Sequence, residues 1–115
     1  NPLHAIVLLN DPQYVEAARK MGENLLKEFG DDHKSAVAKA FEQLTSRAAE
    51  DAELAVILSS FQQQLAYFKK HPDETNQFLS TGDAPRDMNL PADQIAAMGM
   101  VINLLLNYDE CVVRQ

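Results

Sequence analysis

Asp11, Asp109 and Glu110 are the residues whose types could do acid–base chemistry or hold a hard cation such as calcium. Paired carboxylates offer both a proton carrier and oxygen ligands. Each also has a plainer use. Asp11 stands just before Pro12, where a helix would begin, and an aspartate there caps free N–H groups. Glu110 stands one helical turn before Arg114, the spacing of an ion pair. The D-x-D-x-D-G order of a calcium loop is missing. His4, His33 and His71 lie in three separate segments without H-x-x-x-H or H-E-x-x-H spacing, so no metal site is expected. His4 sits in an apolar segment and suits a satisfied interior position, while His71 suits a helix C-terminus. The single thiol, Cys111, follows two acidic residues, which disfavour a thiolate nucleophile. Met88, Met98 and Met100 read as packing residues. Arg19 and Arg47 stand beside apolar stripes, where a guanidinium suits bidentate pairing with a carboxylate at a helix crossing. Binding of a sulfated or carboxylated glycan is the functional alternative for both. No catalytic, cofactor or metal residue is assigned, and an enzymatic role for this chain is left uncertain, leaning to none.

The elements that would position these residues are helices. Pro2 to Leu9 is apolar all round, with Leu3, Ile6, Val7, Leu8 and Leu9, and must be covered by something. From Asp11 and Pro12, Val15, Ala18, Gly22, Leu25, Leu26 and Phe29 share one face until Gly30 stops the helix. A helix over about Asp32–Thr45 carries Val37, Ala40, Phe41 and Leu44. Another over about Asp51–Lys70 carries Leu54, Ile57, Leu58, Phe61, Leu65 and Phe68. Pro72 starts a short helix ending near Leu79, with Gly82 beyond it. Residues Thr81 to Leu90 form the longest loop. The final helix runs from Pro91 or Ala92 to Asn107. It is apolar on most faces, which marks a central helix, and its small side of Ala96, Gly99 and Asn103 would let a neighbour come close. A faint echo joins Leu8-Leu9-Asn10-Asp11 to Leu105-Leu106-Asn107-Tyr108-Asp109 and reads as two similar helix exits. The expected fold is an all-α compact bundle of five or six helices around a central apolar C-terminal helix, in one domain spanning 1–115.

The 115 residues, 46% hydrophobic and 23% charged, fit one folded core. A net charge of −7 disfavours phosphate backbones and anionic membrane surfaces, so neither nucleic acid nor membrane is an expected partner. The charge-free run from Gln94 to Tyr108 is shorter than the roughly 18–20 apolar residues of a spanning helix. The start at Asn1 reads as a boundary inside a longer protein.

Three stretches together carry a family likeness. The first is Asn1-Pro2-Leu3-His4-Ala5 leading into Leu8-Leu9-Asn10-Asp11-Pro12 and Glu16-Ala17-Ala18-Arg19. The second is Ala40-Phe41 through Leu44-Thr45-Ser46-Arg47, followed by Glu53-Leu54. The third is Leu105-Leu106-Asn107-Tyr108-Asp109-Glu110 with Arg114. In this order they resemble the C-terminal end of a planctomycete-type domain of unknown function, numbered 1553, and the likeness runs over essentially the whole chain. The sequence departs from the family in having Ser46 where glycine is usual, Ala48 or Ala49 where a proline is usual, and Cys111 where an aromatic is usual. The resemblance implies the C-terminal portion of a large exported protein, periplasmic or at the cell surface, often with a cytochrome-c-like haem module upstream. It implies no catalytic residues and no cofactor within this chain. It marks Asn10, Asp11, Glu16, Arg19, Arg47, Asn107, Asp109, Glu110 and Arg114 as structural or interaction residues. The function expected is a structural or interaction module that completes the larger protein and packs on its upstream domains, with self-association through residues 2–9 when that part is missing. The alternative is a non-catalytic part of an enzyme or haem-linked redox protein acting on extracellular polysaccharide, with the chemistry upstream.

Overall fold

A computed structural model describes residues 12–80, 82 and 85–114, with side chains over 14–80, 82 and 85–106. The five helices are α1 (Pro12–Phe29), α2 (His33–Thr45), α3 (Asp51–Lys70), α4 (Pro72–Leu79) and α5 (Ala92–Arg114). No strand occurs among the described residues. The all-α bundle expected from the periodicity is therefore the fold.

Local chemistry accounts for most of the helix ends. Pro12 and Pro72 occupy first-turn positions that have no partner for an N–H. Asp32 caps α2 by accepting from the Ser35 N–H at 3.2 Å and from its hydroxyl at 2.7 Å. Those hydrogen bonds hold the Asp32 carboxyl below the usual aspartate range. At α1's end Gly30 takes φ +60°, and its N–H bonds the Leu26 carbonyl at 2.8 Å. Ser46 ends α2 at φ +64°, a left-handed conformation that glycine adopts without a Cβ penalty. His71 ends α3, its Nδ1 2.8 Å from the Tyr67 carbonyl and its ring stacked on the Tyr67 ring at 4.1 Å.

α5 touches all four other helices, α1 and α3 most extensively. Ile95, Ala96, Ala97, Met98, Val101, Ile102 and Leu105 are buried along it, as its all-round apolarity predicts. Phe41 of α2 and Phe61 of α3 fill the space beside it. The small side works as a seat: a Cβ at Gly99 would lie 2.7 Å from Phe78 Cζ and 3.7 Å from Arg19 Cα. Only a glycine lets α4 and α1 approach α5 that closely. In α3 the apolar stripe is less even than its sequence suggests. Ile57, Phe61 and Phe68 are buried, Leu54, Leu58 and Leu65 are half-buried, and Gln64 is buried in their place. α5 also continues to Arg114 and does not exit at Asn107. The echo between Leu8–Asp11 and Leu105–Asp109 is thus not a pair of helix exits, because the acidic residues after Asn107 remain within the helix.

The direction of the helices fixes what lies at each end. α2 starts where α1 ends, and His33 at that start meets Gln94 at the start of α5 at 3.4 Å. α1 therefore runs antiparallel to α5. The beginning of α1, the end of α2, the beginning of α3 and the Leu104–Leu105 stretch of α5 all belong to the opposite end of the bundle.

Candidate functional site

Three features are candidates: a buried charge centre, an arginine clamp and an apolar groove beside the clamp. The charge centre is built around Glu23, fully buried in α1. Arg19, one turn earlier and also fully buried, donates from Nη1 to Glu23 Oε2 at 3.1 Å. The Asp87 backbone N–H donates to the same oxygen at 3.1 Å. Glu23 Oε1 meets the Lys20 ammonium at 3.2 Å as a charge contact without a directed hydrogen bond. A second pair supports the first, for Lys27 Nζ lies 2.9 Å from Asp87 Oδ2 and the Asn89 N–H donates to Asp87 Oδ1 at 2.9 Å. The hydrogen bond to Asp87 raises the Lys27 pKa. Those from Lys27 and Asn89 lower that of Asp87. Each carboxylate is thus committed to holding the 80–91 connection against α1. Glu16 reinforces the same connection, since its side chain crosses Gly82 so closely that a Cβ there would lie 2.6 Å from its Cδ.

The clamp joins α2 to α3. Arg47 gives Glu53 two hydrogen bonds, Nη1 to Oε1 at 2.8 Å and Nη2 to Oε2 at 2.7 Å. Its guanidinium also lies 4.8 Å from the centre of the Phe41 ring. Glu53 Oε1 accepts the Glu50 N–H at 3.0 Å as well, so one carboxylate both caps α3 and fixes the turn.

Next to this clamp a groove of about 410 Å³ opens between α2, α3 and α5. Ala52, Val56 and Ile57 form one wall, Leu104 and Leu105 the other, and Phe41 closes the depth. Glu53 is the charged residue among the described lining, and Arg47 neutralises it. Val56 stands 68% exposed at the rim, one of three exposed large hydrophobic side chains among the described residues. Such a surface suits apolar contact.

Of the sequence candidates with described side chains, Arg19 belongs to the charge centre, Glu16 lies over Gly82 and Arg47 forms the clamp. Arg19 pairs with Glu23, one turn on within α1. Arg47 makes the expected bidentate pair at the α2–α3 turn. Asn10 and Asp11 lie outside the described residues, as does the apolar segment 2–9. Asn107, Asp109, Glu110 and Arg114 lie on the last turns of α5, with their side chains, like that of Cys111, outside the described set. Among the described residues no three His, Cys, Asp or Glu side chains form a metal-sized group, and no helix is long and apolar enough to cross a membrane. Sequence reasoning missed Glu23 and Asp87. The Arg19–Glu23 spacing of four was a usable signal, whereas the sequence separation of 64 between Glu23 and Asp87 carried none.

The fold and these features define a small all-α module with a buried charge centre and an open apolar groove among the described residues. The chain belongs to the family described as protein of unknown function DUF1553 (PSD1), whose model matches residues 1–61. That span includes the first two family-like stretches, Arg47, Glu53 and the α2 and α3 walls of the groove; Leu105–Glu110 and Arg114 fall beyond it. No curated protein and no solved structure matches the chain.

Proposed function

We propose that this chain is a structural and interaction module that completes a larger exported protein, docking the polypeptide that precedes it at the bundle end where α1 begins. The groove of Phe41, Val56, Ile57, Leu104 and Leu105 carries this reading, because it lies at the end from which the chain continues back toward Asn1. The committed state of the charged groups supports it, since Arg19, Glu23, Lys27 and Asp87 are spent on holding the fold. Export and the larger size rest on the likeness to exported multidomain proteins. The test is an antibody against this chain applied to fractions of the cells that make it. One band well above 12.8 kDa in the periplasmic or surface fraction is the expected result. A 12.8 kDa band confined to the cytosol overturns the proposal.

A further inference from the structure

The groove is almost wholly apolar, and an apolar surface of this size is stabilised by contact with something other than water. We infer that its occupant is the chain's own segment Pro2–Leu9, folded back in cis against Val56, Ile57, Leu104 and Leu105. The inference rests on the docking reading above and names the first piece that docks.

Position is the first argument. α1 is antiparallel to α5, so Pro12 starts at the bundle end that also holds Ala52, Val56, Leu104 and Leu105. Leu9 precedes Pro12 by three residues, a reach of up to about 10 Å when extended. Chemistry is the second argument. Pro2–Leu9 has no Asp, Glu, Lys or Arg, and it offers Leu3, Ile6, Val7, Leu8 and Leu9 to a groove whose described carboxylate is already held by Arg47. Tethering is the third. Two residues, Asn10 and Asp11, separate the segment from α1, and a linker that short gives an effective concentration on the order of millimolar or above. The same segment from a second copy competes against that concentration and loses at ordinary protein levels.

Amide hydrogen exchange on the whole chain, with sedimentation on the same samples, tests the inference. In the parent the amides of Ile6 to Leu9 are expected to exchange at least about tenfold more slowly than in an unstructured chain, in a monomer at every concentration. Val56→Asp should abolish that protection. Because Val56 is 68% exposed, this substitution leaves the core intact, which the exchange of α5 amides checks in the same experiment. Met88→Asp, at a residue 75% exposed and outside the groove lining, should leave the protection unchanged. Three results overturn the inference: no protection in the parent, protection that survives Val56→Asp, or protection that appears only as a dimer forms. The last would assign the groove to a second copy. None of these results bears on the size or location of the band stained in cells, so this inference and the broader reading fail separately.

Discussion

Replacing Glu23 by alanine removes the carboxylate that two hydrogen-bond donors and the Lys20 ammonium share in the buried centre. Lys20 is 44% exposed, and an ion pair of that kind contributes about 0–1 kcal/mol. Arg19 is different, with a side chain 0% exposed, and removing one partner of a buried ion pair costs about 3–5 kcal/mol. The Asp87 N–H also loses its acceptor, but it lies in a part-buried connection that water can reach, which puts it at the low end of roughly 1–3 kcal/mol. These contributions share one group and do not add, so the expected total loss is about 3–5 kcal/mol. Against a domain stability of roughly 5–15 kcal/mol that is a large share. At about 4 °C per kcal/mol it lowers the unfolding midpoint by about 12–20 °C. Urea unfolding followed by circular dichroism at neutral pH measures it. Glu23→Gln, which keeps the shape and one acceptor oxygen, should lose less than Glu23→Ala. A Glu23→Ala chain within about 1 kcal/mol of the parent, no worse than Lys20→Ala, would refute the claim that this carboxylate holds Arg19 and the 80–91 connection together.

Other consequences can be measured on the same chain. Asp87 has its pKa lowered from 3.8, so its contribution is present above that value and is lost as pH falls through the lower folded one. Lys27 has its pKa raised from 10.5, so its contribution is present below that value and is lost as pH rises through the higher folded one. The stability gap between parent and Asp87→Asn should therefore be level through neutral pH and close only at those two extremes, as unfolding midpoints across pH will show. Gly99→Ala should cost about 1–2 kcal/mol through overpacking against Phe78, despite the better helix propensity of alanine. That cost should shrink in a Phe78→Ala background, read from thermal midpoints. Ser46→Gly should stabilise by about 0.5–1 kcal/mol, because relief of the left-handed backbone exceeds the added chain entropy. Thermal unfolding of the two chains side by side decides it.

The helices themselves were legible in the sequence. Pro12, Asp32, Gly30 and Pro72 act on backbone groups within a few residues, so their effect can be read without knowing the fold. The all-round apolarity of residues 95–105 likewise marked the central helix, since a surface that is apolar on every side has no stable place in water. The small side at Gly99 predicted a close neighbour but not which one, and the structure supplies Phe78 and Arg19. Where α5 ends was misread, because an Asn followed by acidic residues looks like an exit unless packing carries the helix further. Burial of Gln64 and Glu23 was also invisible, as polar residues are buried only where the tertiary arrangement encloses or partners them. The Glu23–Asp87 contact and the groove between Val56 and Leu104 belong to the same class. Each joins residues far apart in the chain, and no local preference records such a meeting; the packing of antiparallel helices around α5 decides it.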